Sequence, residues 1–210
     1  MVITIDGLAV NGKTTLAKKI SEKINFKNFS AGAVYRCIAL EIINKNLSFK
    51  EIDRILEETK NIKIDFQNGK TYLNGIDVSK IMRAEEVSLK ANECGAIPEI
   101  KNFVRTIQKR FIEENDTVME GRDIGTRIAP NADIKFYIYS DFETRVQRSH
   151  KATGVNIEEV RENLKTIDNI DINGGSFIKP TGAIEIDTTN KTLDEVYEIM
   201  LAEIRKVKII

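Results

Sequence analysis

The residues of this chain whose spacing could do chemistry begin at its seventh position. Gly7-Leu8-Ala9-Val10-Asn11-Gly12-Lys13-Thr14-Thr15 fits the phosphate-binding template G-x-x-x-x-G-K-[ST]. Each residue type answers a need of the anion. Gly7 and Gly12 allow backbone conformations closed to other residues, so that consecutive N–H groups can turn toward a phosphate. Lys13 supplies a mobile positive charge for the terminal phosphate oxygens. The hydroxyl of Thr14 is a ligand for Mg²⁺, a hard ion that takes oxygen donors and keeps much of its water.

Three further polar groups could serve a second substrate. Tyr35 and Arg36 follow the small-residue turn Ser30-Ala31-Gly32, and Arg83 lies beside Glu85 and Glu86. The third group, Glu120-Gly121-Arg122-Asp123-Ile124-Gly125, is the most telling. Arg122 and Asp123 between glycines offer a fork of donors for a phosphate next to a carboxylate for a hydroxyl or amine.

The elements that must hold these residues follow from periodicity. Val2 to Ile5 reads as a strand, and Leu16, Ala17, Ile20 and Ile24 lie on one face of the helix after the glycine loop. Phe26 to Phe29 is a short strand, and Ser30 to Arg36 is a turn leading into a helix. Ser48 with Glu51 signals the cap of a helix running through Thr59. Residues 61 to 79 alternate and carry Asn68-Gly69 and Asn74-Gly75, which predicts an antiparallel meander inserted in a chain of alternating strands and helices. Two helices broken near Gly95 and Pro98 come next, with Ile100, Phe103, Val104, Ile107 and Phe111 along one stripe. Thr117 to Met119 and Ile134 to Tyr139 are strands, the second followed by a helix capped by Ser140 with Glu143. An amphipathic helix from Ile157 to Ile167, a strand at Ile184 to Ile186 and a helix opened by Thr192 with Glu195 complete the pattern. Such alternation implies a parallel sheet with helices on both faces and ligands outside the carboxyl ends of its strands.

Composition sets the remaining bounds. A chain of 210 residues with 41% apolar residues can pack one α/β domain with a small insert. Lys plus Arg and Asp plus Glu are equal at 32 each, so no global field favours nucleic acid or an anionic membrane. No basic aromatic stripe suggests nucleic acid either. Cys37 and Cys94 form neither a C-x-x-C pair nor a disulfide framework and read as buried small hydrophobes. His150 reads as a solvated side chain. With no targeting segment before the first strand, the expectation is a soluble cytoplasmic protein. Its oligomeric state is not legible in the sequence.

Taken in order, the motifs resemble those of the bacterial cytidylate kinases, the P-loop kinases of CMP and dCMP. That family carries the glycine loop, then S-G-A-x-Y-R, I-R-x-x-E-V and D-G-R-D-x-G-T. Here these read Ala31-Gly32-Ala33-Val34-Tyr35-Arg36, Met82-Arg83-Ala84-Glu85-Glu86-Val87 and Glu120-Gly121-Arg122-Asp123-Ile124-Gly125-Thr126. The meander and a late strand ending in Asp187-Thr188-Thr189 match as well, so the resemblance covers nearly the whole chain. It implies an α/β P-loop kinase fold: a five-stranded parallel sheet flanked by helices, with a small antiparallel insert (61–79 and helices to about 100) and a lid (about 149–175). ATP with Mg²⁺ would sit on Gly7 to Thr15, with Thr14 as the metal ligand and Lys13, Arg122 and Asp123 as catalytic residues. Gly32, Tyr35, Arg36, Arg83, Lys101, Arg122, Asp123 and Asp171 would hold the nucleoside monophosphate, the arginines on its phosphate and Asp123 on its base or sugar.

The departures matter too. The family's Asp-Ser-Gly is Ser30-Ala31-Gly32 here, a serine expected in the insert is Asn92, and a basic residue after the proline is Lys101, which keeps the charge without the planar fork. The first acid of D-G-R-D is Glu120. In the lid, Asp168 and Asp171 match, but three arginines are replaced by Ile167, Ile170 and Gly174. Arg145, Arg148, Lys151 and Lys165 are the candidates to replace them; otherwise turnover is slow or the acceptor is not CMP. Two alternatives therefore stand beside a CMP kinase: a kinase of a modified pyrimidine nucleotide or another small phosphorylated metabolite, and a nucleotide-binding relative that no longer catalyses.

Overall fold

The structure is a computed structural model, and it describes residues 1–67 and 69–207, except for the side chain of Glu85. Asn68, half of the first meander turn, lies outside the described residues, as does the side chain of Glu85 beside Arg83.

Five parallel strands form the main sheet in the order β2-β6-β1-β7-β8. They are β1 (Val2–Asp6), β2 (Lys27–Ser30), β6 (Thr117–Gly121), β7 (Ile134–Tyr139) and β8 (Ile184–Asp187). β1 is central and almost wholly buried, which is why its sequence is a near-continuous apolar run. Its register sets Asp6 beside Gly121 on one side and Tyr137 on the other. The carboxyl ends of β1 and β6 therefore carry Asp6 and Glu120 to the same edge.

By contact density the chain forms two compact units, Met1–Lys27 with Asn115–Ile210, and Asn28–Glu114. In the first, α1 (Lys13–Ile24) and α8 (Leu193–Val207) lay Leu16, Ile20, Met200 and Ile204 on Ile3, Ile5, Phe136 and Ile138. Burial of these side chains at roughly 1.5–3 kcal/mol each is what fixes the helices to the sheet. The predicted cap of α8 is present in both directions: Thr192 N donates to Glu195 Oε2 at 2.7 Å, and Glu195 N to Thr192 Oγ1 at 3.2 Å.

The second unit holds α2 (Ala31–Asn44), α3 (Ile52–Thr59), α4 (Glu85–Ala96), α5 (Pro98–Glu114) and the predicted meander, β3 (Ile64–Gln67), β4 (Lys70–Leu73) and β5 (Ile76–Asp77). Asn74 and Gly75 both take positive φ, 51° and 83°, as a tight hairpin turn demands. Phe29, Phe66 and Phe111 meet with ring centroids 4.8–6.5 Å apart. Cys37 and Cys94 are free and buried, and burial pushes both thiols up to about 12.

Several local expectations change. Ala31 to Arg36 is not a turn but the start of α2, because the Ser30 side chain caps the helix one residue earlier, accepting from Ala33 N. α3 starts at Ile52: the Glu51 carboxylate accepts from Ser48 N, while the Ser48 hydroxyl accepts from Lys50 N and leaves the box half made. The cap of α6 (Phe142–Thr153) is Asp141, which accepts from Thr144 N at 2.6 Å, and Ser140 is free to bind elsewhere. α7 runs from Ile157 to Asn173, six residues past the expected end, before Gly175 turns left-handed at φ 62°. A one-turn π-helix at Ile124–Ile128 was not foreseen.

Candidate active site

The glycine loop joins β1 to α1 in the first unit. A Cβ built at Gly7 would lie 2.2 Å from the Ile138 carbonyl oxygen, so only glycine lets the chain leave β1 against β7. Val10 and Gly12 take φ of 63° and 82°, the first an uncommon geometry for a β-branched residue. Ala9 and Val10 pack with Phe142, Val146, Ile157, Val160 and Leu164 of α6 and α7, which holds that strained bend in place. α1 begins with no side-chain cap and no acid in its first turn, so its leading N–H groups and positive dipole end face the loop.

Lys13 is buried, and its Nζ donates to the Leu8 carbonyl at 2.7 Å. Burial, and then the Arg122 guanidinium, lower its pKa from 10.5 to about 7, against the opposing pull of Glu120, Asp171 and Asp6. An incoming polyanion relieves that unfavourable charge. Thr14 Oγ1 donates to Glu120 Oε1 at 3.1 Å, which pairs a hydroxyl with a carboxylate at the carboxyl end of β6. Those donors suit Mg²⁺, which is held through one or two carboxylates and completed by phosphate and water. Among the described residues no group of three or more His, Cys, Asp or Glu forms a protein cage for a metal.

Arg122 stands on the loop's side of the sheet. Its Nε donates to Asp171 Oδ2 at 2.6 Å, and its Nη1 lies 3.5 Å from the Gly7 carbonyl oxygen. Asp123 accepts from Arg127 Nη1 at 3.1 Å. The turn that presents them is shaped by Asp6, whose two carboxylate oxygens accept from Ile124 N and Gly125 N, each at 2.7 Å. Desolvation outweighs those two bonds and raises the Asp6 pKa to about 6. Gly125 is required there, since a Cβ would come within 2.8 Å of Thr4 Oγ1 and 3.0 Å of Asp6 Oδ2.

Three of the four residues expected to replace the three arginines are otherwise engaged. Arg145 is 5% exposed and grips Asp168 through both Nη atoms, 2.9 and 2.5 Å. Arg148 donates to the carbonyls of Thr188 and Lys191, and Lys165 pairs with Glu162 on the surface. Lys151 is exposed.

Of the residues singled out from sequence, Gly7 to Thr15, Arg122, Asp123 and Asp171 come together in the first unit. Gly32, Tyr35 and Arg36 lie in the first two turns of α2, Arg83 ends a 3-10 turn at Ile81–Arg83, and Lys101 is in the first turn of α5, all in the second unit. Within that unit α2 packs against both the 3-10 turn and α5. Arg83 borders an apolar groove with Leu40, Leu73, Val78 and Ile81. Sequence reasoning passed over Asp6, Arg127 and Ser140, whose hydroxyl donates to Asn11 Oδ1 in the loop at 2.7 Å. Only Asp6 left a signal, a lone carboxylate ending an apolar strand just before the first glycine.

This arrangement has known counterparts. Among solved structures, an uncharacterized protein from Eubacterium ventriosum superposes with a TM-score of 0.55 at 15% identity, over 98% of both chains. A gluconokinase from Sinorhizobium meliloti gives 0.53 at 14% identity, over 98% of this chain and 91% of that one. At those identities they show the fold alone. The chain is 34% identical over 215 residues to the cytidylate kinase of Fusobacterium nucleatum, covering 99% of each. It is 36% identical to that of Caldanaerobacter subterraneus, covering 97% of this chain and 94% of the relative. The family model for cytidylate kinase matches residues 3–206, and the chain belongs to that family.

Proposed function

We propose that this protein is a nucleoside monophosphate kinase that transfers the γ-phosphoryl group of ATP to CMP or dCMP, giving CDP or dCDP and ADP. An oxygen of the acceptor phosphate forms a bond to the γ-phosphorus while the bond from that phosphorus to the β–γ bridging oxygen breaks. Little covalent work falls to the protein; positioning and charge neutralisation carry the rate. The observation that supports this best is the buried Lys13 ammonium against the glycine loop, with the Arg122 guanidinium within its field.

In this reading Gly7 to Thr15 hold the triphosphate, with Lys13 on its terminal oxygens. Thr14 and Glu120 would hold Mg²⁺, which when bound neutralises charge on the β and γ oxygens. Arg122, Asp123 and Asp171 contact the acceptor, and Gly32, Tyr35, Arg36, Arg83 and Lys101 are the further acceptor contacts that the family's motifs imply. The Arg122–Asp171 pair orients the guanidinium before the acceptor arrives, which lowers the entropy lost on binding. Ala31, which removes a hydroxyl from the first turn, favours one second reading, a modified pyrimidine nucleotide as acceptor.

A coupled assay with ATP and with GTP against CMP, dCMP, UMP and modified pyrimidine monophosphates tests the proposal. CMP or dCMP should rank first, and Lys13→Ala should abolish turnover while leaving the circular dichroism unchanged. Absence of phosphorylation of every pyrimidine monophosphate would overturn it, and a low rank for CMP would move the assignment to the second reading.

A further inference from the structure

An arginine outside the expected site residues ties the Asp123 carboxylate to the end of α7. Arg127 lies in the π-helical turn after Asp123, closed by Ala129 N donating to Ile124 O at 2.8 Å. Its Nη1 donates to Asp123 Oδ2 at 3.1 Å and to the Gly175 carbonyl at 2.8 Å. One guanidinium thereby bridges the Asp123 carboxylate and the end of α7.

At position 174 that helix end has no room for a side chain. A Cβ built at Gly174 would lie 2.4 Å from the Ile170 carbonyl oxygen, so no side chain fits there unless the helix end moves. Arg127 reaches the next carbonyl, that of Gly175, from across the turn. The docking is reinforced by Thr126 Oγ1 donating to the Ile178 carbonyl at 3.1 Å and by Arg122 on Asp171. Arg127 is only about a third exposed, and its Nε and Nη2 have no protein partner among the described residues. Three N–H donors remain for a ligand.

We propose that Arg127 is a specificity-determining residue of the acceptor site, an inference that rests on the kinase reading above. It holds Asp123 in place and sets a donor beside that acceptor, a pair that matches one base edge and opposes another. Cytosine presents an amino donor next to a ring-nitrogen acceptor. Uracil presents a carbonyl acceptor next to an N–H donor. The carboxylate accepts from the amino group of cytosine while the guanidinium donates to its ring nitrogen N3; with uracil the carboxylate meets a carbonyl and the guanidinium meets an N–H, so both contacts face like against like.

The test compares wild type, Arg127→Ala and Arg127→Lys in kcat/KM for CMP and for UMP at saturating ATP, with CMP binding measured separately by calorimetry without ATP. Loss of a charge-assisted contact predicts a fall of about tenfold to a hundredfold in kcat/KM for CMP in Arg127→Ala, most of it in KM. The CMP/UMP ratio should fall as well, CMP affinity should weaken in parallel, and lysine should restore part of each. A CMP/UMP ratio and a CMP affinity within twofold of wild type in a folded Arg127→Ala protein would overturn the inference. Wild type that phosphorylates neither nucleotide would sink the kinase reading instead, and calorimetric binding of CMP unaltered by the substitution would then count against Arg127 independently.

Discussion

Binding of a nucleotide to the glycine loop should draw a proton onto Lys13. The group sits near pKa 7 because burial and the Arg122 guanidinium disfavour its charge. At pH 8 the free protein would then carry Lys13 about 0.9 unprotonated. A triphosphate within contact distance favours the charged form and lifts the pKa well above the assay pH. Uptake of about 0.9 proton per ATP at pH 8 follows, falling to about 0.1 at pH 6. Affinity should weaken about tenfold for each pH unit above 7, since the proton must be captured before the ion pair forms. Isothermal titration with ATP and no acceptor, in two buffers of different ionisation enthalpy, reads the proton count directly. Lys13→Met should abolish it. Uptake under 0.2 at pH 8 in wild type, or undiminished uptake in Lys13→Met, would refute the reasoning, because the proton would then be bound elsewhere or not at all.

Asp6 gives a stability effect of definite sign. Its folded pKa, about 6, lies above the ordinary carboxylate value, so the folded chain holds a proton between pH 3.8 and 6 that the unfolded chain has lost. Stability should therefore fall by about 3 kcal/mol as pH rises through that window, and Asp6→Asn should remove that slope in denaturant titrations at pH 4 and 7. Breaking the buried Arg145–Asp168 pair by Arg145→Met should cost about 3–5 kcal/mol in urea unfolding; a loss under 1 kcal/mol would show that the pair holds nothing together. Gly125→Ala, whose Cβ meets Thr4 and Asp6, should cost about 1–3 kcal/mol and lower kcat by shifting Arg122, whereas Gly154→Ala, with no neighbour in reach of a Cβ, should leave kcat alone.

What could be read from the sequence was whatever depends on neighbours along the chain. The glycine loop, the Thr192–Glu195 box and the Asn74-Gly75 turn are local patterns, and each is where its residues placed it. The errors fall where distant groups decide. Ile167 to Asn173 is poor helix-forming sequence, rich in β-branched and Asp or Asn residues. It is helical because Asp168 is clamped by Arg145 and Asp171 by Arg122, partners 23 and 49 residues away. The same two aspartates lie three residues apart, on one face of α7. A helix that presents both to the loop must therefore run unbroken through Asp171, and the first stop available is the glycine pair at 174 and 175.

The π-helical turn follows the same logic. Its sequence, Ile124-Gly125-Thr126-Arg127-Ile128, carries no signal for an i to i+5 bond, but Asp6 collects the N–H groups of Ile124 and Gly125 and so fixes how the turn begins. Once two donors are committed to a buried carboxylate on β1, Arg127 N is left to bond Asp123 O and Ala129 N to bond Ile124 O. That winding carries the Arg127 side chain back over Asp123, toward Gly175. The placement of Arg127 is thus a consequence of an aspartate 121 residues earlier, and no inspection of the segment that contains it could have put its guanidinium between Asp123 and Gly175.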